Sequence, residues 1–459
     1  MSTSTSTSPA PHVSPFTTAV VSSMRRLYPE ALADKSFDNT GLLVEAPFIS
    51  SRPRNRNSVL LTVDLTRAVA QEAIENNHSV VVAYHPIIFR GLKSITADDT
   101  QQWSIALLLA HGISVYSPHT AVDTVPDGMA DWLCDIVTGK VDESEPESEP
   151  ETHTTAAPLS SPSDTEVTTS ESALDTEPDS KPSTKPTSPS AGGHEQDALP
   201  DPFVSPTTPK AKGPPRATRP APAHRTYSKP TYPRPTSSFH AAVLAHSRSV
   251  ITPSPSAALA AANQVAASDS LTHTASNTGA GRLIEFFEPQ PLTLLITRIA
   301  HAIGLPKGFA VAIPQGRSIE DMHISSVATC PGSGGGVVRG CRADLVFTGE
   351  LSHHEALAVT ERGGCVITLF HSNSERGYLW SVMREKLETE LAEEWARVRR
   401  RSRDEEGVKS RSSLSVSAQL KEMLEDESVQ VVVSERDRDP YGIVVLEETA
   451  VEGIRFGGD

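Results

Sequence analysis

Residues 58–90 read SVLLTVDLTRAVAQEAIENNHSVVVAYHPIIFR. SVLLTVDLT is a continuous β-branched and leucine run without the polar alternation of a half-exposed strand, so it predicts a strand buried on both faces. TRAVAQEAIENN is a helix of good formers, and SVVVAYHPIIF is a second buried strand. QQWSIALLLAHG then reads as a helix stopped by Gly112, and ISVYSPHTAVD as a third strand running into a loop. Strand, helix, strand, helix, strand is the order of a right-handed parallel α/β unit. With the amphipathic segment TTAVVSSMRRLYP ahead of it, this first α/β region spans residues 17–139, after a Ser/Thr-rich disordered N-terminus of residues 1–16.

Beyond residue 139 the periodicity vanishes into repeats such as ESEPESEPET and then a basic Pro-rich stretch, PKAKGPPRATRPAPAHR. Polar, Pro-rich sequence cannot bury enough apolar surface to offset chain entropy, and 36 prolines with 5% aromatic residues make the whole composition lopsided in that direction. Residues 140–281 are therefore expected to be a disordered insert, in which HAAVLAHSRSVITPSPSAALAAANQVAA forms at most a transient helix. Pattern returns at Arg282. RLIEFFEP, ISSVATC, ADLVFTG and CVITLFH read as strands, and PLTLLITRIAHAIGL, HHEALAVTERG and SERGYLWSVMREKLETELAEEW as helices. VQVVVSERDRDP is the last strand. A second α/β region thus covers residues 282–459, with a short charged insertion near 401–416. The expected fold class is α/β: two α/β regions interrupted by a long disordered insert.

A net charge of −16 argues against direct nucleic-acid binding, which needs concentrated Lys and Arg. Cys134, Cys330, Cys341 and Cys365 show no CxxC spacing and read as reduced thiols. No apolar run reaches the roughly 18 residues of a spanning helix, so no membrane association is expected. The location expected is cytoplasmic, also nuclear, with a mitochondrial one disfavoured because the leader holds no Arg before Arg25.

Chemistry-bearing residues gather at strand ends. Open parallel sheets bind ligands beyond the carboxyl ends of their strands, and Tyr84, His85 and Pro86 end the VVVA run. His119 and Asp123 follow the next strand, although His119 could orient a loop and Asp123 could cap a helix. His371 and Glu375 begin where CVITLF stops, a spacing of four that places both on one face of a helix starting there. Imidazole and carboxylate one turn apart suit zinc, iron, manganese or cobalt more than calcium. Their bland alternative is a solvated helix start with Glu375 against the dipole. Glu350, His353 and His354 end another strand and could serve as orienting partners or, for Glu350 and His354, as the groups that assist proton transfer. The glycine run at 331–336 lacks a P-loop ending and reads as a turn.

FDNTGLLVE, TVDLT, AYHPIIF, SPHTAVD, GSGGG, ADLVFTGELSHHE and FHSNSERGYL occur in this order across both folded regions, outside the insert. In that order they resemble the GTP cyclohydrolase 1 type 2 homologue family, also called the NGG-one-interacting factor three family. The resemblance implies two α/β domains facing a central cleft, a toroidal homohexamer, and a site for one or two divalent metal ions. Carried over by position, the ligands fall on His85, Asp123, His371 and Glu375. Tyr84 stands where many members have a second histidine. Together with His119 and His353 it is assigned to the shell behind the ligands. The function expected is metal binding with hydrolase activity on a nucleotide or related small molecule. The alternative is a non-catalytic regulatory scaffold, with protein partners engaged through the insert.

Overall fold

In the computed structural model, residues 13–49, 51–140, 226–227, 229–234, 241–254, 277–304, 307–409 and 418–447 are described. The N-terminal part runs α1 (Pro15–Leu27), β1 (Gly41–Val44), β2 (Ser58–Thr62), α2 (Arg67–Glu75), β3 (Val80–Ala83), α3 (Thr100–Ala110), β4 (Ser114–Ser117), α4 (Thr120–Thr124) and α5 (Met129–Thr138). Every residue of β2, β3 and β4 is buried, as continuous apolar runs demand. The helices between them start on side-chain caps. Thr66 accepts from the Val69 amide, and Asp99 accepts from the amides of Gln101 and Gln102. Gly112, at φ +73°, turns the chain from α3 into β4. β2, β3 and β4 are parallel neighbours, and β1 pairs antiparallel with β4.

The chain continues through β5 (Thr226–Tyr227), β6 (His246–Pro253), β7 (Gly279–Pro291), α6 (Leu292–Ala302), β8 (Ala310–Ala312), β9 (His323–Ser333), α7 (Gly335–Val338), β10 (Leu345–Glu350), α8 (His353–Glu361), β11 (Cys365–Thr368), α9 (Arg384–Lys409), α10 (Ala418–Glu425), β12 (Gln430–Val433) and β13 (Leu446–Glu447). Six of these strands form a second sheet in the order β6, β7, β9, β10, β11, β8, in which β9, β10 and β11 are parallel. β5 and β13 make a small ribbon of their own. No helix among the described residues is long and apolar enough to cross a membrane.

Four expectations change. α1 begins at Pro15 and Phe16 is fully buried, so order starts within residues 1–16, the stretch expected to be disordered, because Phe16 packs on Trp395. β12 lies parallel to β2 in the first sheet, so the C-terminal region completes the N-terminal sheet instead of closing on itself. α9 runs on through Lys409, across the start of the stretch read as a charged insertion; residues 410–417 lie outside the described ones. His246–Pro253, within the stretch expected to lack structure, is a strand antiparallel to β7, where Val250 pairs with Arg282 and Arg248 with Ile284. Its side chains alternate in exposure, and the flanking prolines that argued against a helix do not oppose an edge strand. Residues 141–225 and 255–276 of the expected insert lie outside the described ones.

One apolar core joins the two sheets through α1, α5, α6 and α9. Phe16 of α1 meets Trp395 of α9 edge to face at 5.4 Å, and the Trp395 indole N–H donates to the Asp426 carbonyl. Beside this core Arg282 of β7, 2% exposed, grips Asp131 of α5 through two bonds of 2.8 Å. Arg248 of β6 donates to Asp135 one turn further along α5 at 2.9 Å.

β6 therefore belongs to the fold. Deleting residues 143–224 is expected to change unfolding free energy by no more than about 2 kcal/mol, since closure entropy depends weakly on loop length. Extending the deletion through Pro253 removes a strand ladder and the Arg248 contact and should cost about 3 kcal/mol or more. Urea unfolding of the two shortened chains measures the difference; equal midpoints would show β6 to be dispensable.

Candidate metal centre

The parallel strands of both sheets deliver their carboxyl ends to one place. β2 leads to Asp64, β3 to Tyr84 and His85, and β4 to His119 and Asp123; from the other sheet β9 brings Gly332, β10 ends on Glu350 and β11 leads to His371. A short 3-10 turn, Ser372–Ser374, carries the chain from His371 to Glu375, so the two side chains meet as their spacing suggested, though through a tighter turn than an α-helix. The helix expected to follow contains a π-helical stretch at Leu379–Met383 before α9. Phe370 sits at φ +66°, a left-handed conformation costly for a bulky residue, immediately before His371.

His85, His371 and Glu375 offer donor atoms that all lie within 4.8 Å of one another, an arrangement that could hold a metal ion. His85 Nε2 is 3.6 Å from Glu375 Oε2, and His371 Nε2 is 3.4 Å from Glu375 Oε1. Glu375 is 1% exposed, and its Oε2 has no hydrogen-bond donor. A buried carboxylate oxygen without a donor is costly unless a cation faces it.

The imidazoles are fixed from behind. His85 Nδ1 lies 2.9 Å from Asp64, His371 Nδ1 2.8 Å from Glu350, and His119 Nδ1 2.6 Å from Asp38. A carboxylate on Nδ1 occupies that nitrogen, so Nε2 is the atom a neutral ring would have free for an ion. Burial opposes charge on His85, but Glu375 and Asp64 outweigh it and hold the imidazolium up to about 10 in the metal-free chain. Asp64 and Asp38 are buried, which raises them, yet their histidine partners win and leave both below the ordinary carboxylate range.

Asp123 stands outside the three-residue group. Both its oxygens accept from the Tyr84 hydroxyl, at 2.8 and 2.9 Å. Burial, with Glu375 adding to it, pushes the Asp123 carboxyl up to about 7 although His119 and Tyr84 pull it down. Tyr84 is 3% exposed, and burial beside Asp123 and Glu375 raises its phenol well above 10, so it stays a protonated donor. The His119 ring lies 5.5 Å from that of His85. His353 and His354 are exposed at the start of α8, edge to face with each other at 5.2 Å, where Ser352 and Glu355 form a capping box. Among the described residues neither joins the group.

Two contributors escaped the sequence reading. Asp64 directly follows β2 as His85 follows β3, a coincidence visible in TVDLT but indistinguishable there from a turn residue. Gly332, at φ +58°, presses against the centre: a Cβ there would come within 2.6 Å of Glu375 Oε1 and 2.9 Å of His371 Nε2. Gly334 and Gly335 are packed as tightly against Thr348 and Glu355. The glycine run thus serves close approach.

Residues 17–402 match the model of the family described as Duf34/NIF3 (NGG1p interacting factor 3). The Protein NIF3 homolog of Schizosaccharomyces pombe is 35% identical over 370 residues, covering 80% of this chain and 87% of that one. The NGG1-interacting factor 3 of Saccharomyces cerevisiae is 27% identical over 381 residues, covering 81% and 90%. Among solved structures, a Bacillus cereus protein related to NIF3 aligns with a TM-score of 0.48 at 16% identity, over 92% of this chain and 98% of that one.

Gly332→Ala places a methyl group where Glu375 and His371 now sit, in a backbone conformation unsuited to alanine. The variant should lose at least tenfold in divalent-metal affinity while keeping its circular dichroism spectrum. Metal titration of the variant at parental affinity would show that the glycine does not shape the centre.

Proposed function

The chain belongs to the Duf34/NIF3 family, and from that premise we propose that it is a divalent-metal-binding protein whose centre serves hydrolysis of a nucleotide or related small molecule. His85, His371 and Glu375 hold the ion in this reading, and Asp123 supplies a fourth donor through lone pairs that the Tyr84 hydroxyl leaves unused. The observation that carries it is the Glu375 oxygen, buried without a donor between two imidazoles whose Nδ1 atoms are already occupied. The donor set of nitrogen and carboxylate suits one or two ions of zinc, iron, manganese or cobalt.

A divalent ion bound there would lower the pKa of water and polarise a carbonyl or phosphoryl group. The chain's own residues do the rest. Asp64 and Glu350 orient the imidazoles, Tyr84 fixes the Asp123 carboxylate, and Gly332 leaves room for the donors to converge. Glu350 acts here through His371 and not as a free base, and His354 is not needed. The yeast relative is named as an interacting factor of NGG1; for this chain, engagement of protein partners and assembly into a homohexamer remain compatible additions, read out by its mass in solution.

His371→Ala with Glu375→Ala should strip bound metal while leaving the secondary structure intact. Elemental analysis of the purified chain and the double variant tests this, and equal metal content in the two would overturn the assignment. Metal-loaded protein is then assayed against GTP and other nucleotides with and without chelator. Turnover absent from every metal-loaded preparation would favour the scaffold.

Proton competition gives a second check. The His85 imidazolium stabilises the metal-free fold fully below its ordinary value near 6.5, and that contribution is lost as the pH rises through about 10. An incoming ion must displace this proton. Apparent metal affinity is therefore expected to rise by about tenfold per pH unit above neutrality toward that value, with between about one and two protons released per ion at neutral pH, one from His85 and a fraction from Asp123. Calorimetry in buffers of different ionisation enthalpy counts the protons; none released would mean that His85 does not meet the ion.

A further inference from the structure

A cavity of about 650 Å³ opens directly from the candidate centre. His85 and Asp64 line one end, the first turn of α2 and the start of α3 form a wall, and the segment after β12 closes the far side. Three guanidinium groups line it: Arg67, Arg436 and Arg438. In a chain of net charge −16 this is a local reversal of sign.

The acidic residues of the same wall do not cancel it. Asp64 is engaged by His85. Asp439 is 1% exposed, with one oxygen accepting from the Ser372 amide and hydroxyl and the other from the Tyr441 amide. Arg436 pairs with Glu75 outside the cavity. Arg438 lies over the Tyr232 ring at 4.7 Å, and neither it nor Arg67 makes an ion pair among the described residues. The alternation in Arg436, Asp437, Arg438 and Asp439 explains the arrangement. A period of two buries the aspartates against the turn that carries His371 and Glu375 and leaves both arginines outside.

We propose that this cavity is the subsite for a phosphate group of the molecule handled at the metal centre, held by Arg67, Arg438 and the shared Arg436. Guanidinium groups grip phosphate oxygens with paired N–H donors, and three cations lining one cavity match a dianion better than a single carboxylate. Arg67 and Ala68, the first two residues of α2, lie in the same wall, and their amides have no acceptor within the helix. The subsite rests on the metal reading for its role, but its binding can be measured separately.

The test titrates inorganic phosphate into the purified full chain and into Arg67→Ala with Arg438→Ala, with metal content determined for each. Both side chains are exposed, so the variant should fold. The expected result is at least a tenfold loss of phosphate affinity at unchanged metal content, partly restored by Arg67→Lys with Arg438→Lys. Phosphate affinity within twofold of the parent in the alanine variant, or no phosphate binding by the parent at millimolar concentration, overturns the proposal. A parent chain purified without metal would sink the metal reading while the arginine dependence of phosphate binding still reported on the subsite.

Discussion

The Glu375 carboxylate, buried to 1% exposure with one oxygen lacking a donor, is the constraint to which the surrounding structure answers. Removing an ionised carboxylate from water costs several kcal/mol unless a positive group replaces the lost hydration. In the metal-free chain His85 supplies that charge, its imidazolium stabilised far beyond the ordinary range. The position of Glu375 is in turn enforced. The next residue, Arg376, is buried in a two-bond grip with Asp437, and Ser372 is bonded through both amide and hydroxyl to Asp439. Asp437 also accepts from the Val63 amide, just beyond β2. These contacts require β12 to lie beside β2, so the crossing of the C-terminal strand into the first sheet holds the centre in place.

Much of this was legible in the amino-acid order because burial on both faces leaves an unmistakable mark. VVVA and SVLLT admit little besides buried parallel strands, and parallel strands send His85, Asp123 and His371 to their carboxyl ends. What escaped was partnership. QVVV is plainly a strand, but three valines pair equally well with either sheet on pattern alone, and the choice was made by buried aspartates beyond it. HSRSVITP hid because an edge strand with one face exposed carries polar residues at alternate positions and looks like its Pro-rich flanks. Asp64 and Gly332 hid for opposite reasons: the first is a common residue in a common place, and the second acts through the Cβ it lacks.

Tyr84 shows how the centre can change without losing its frame. Histidine there would offer a nitrogen, whereas the phenol, kept protonated by burial, can only donate to the Asp123 carboxylate. The same backbone position thereby passes from candidate donor to restraint on a neighbouring carboxylate. It joins Asp64, Glu350 and Asp38, each of which immobilises a neighbouring functional side chain. Restraint of this kind removes rotamer freedom before any ligand arrives, so less entropy is lost on binding.

The segment from Ser434 to Pro440 links these observations. Asp437 cannot be exchanged for a neutral residue without leaving Arg376 buried and uncompensated, and the outward arginines occupy the cavity wall because the buried aspartates fix how the segment is turned. A shift of one residue would bury the arginines and expose the acids, reversing the charge of the wall and releasing the turn at Ser372 together. Position of the Glu375 turn and polarity of the adjoining cavity are therefore one structural choice. A mutation that disturbs the register of this segment acts on both, whichever side of it is touched.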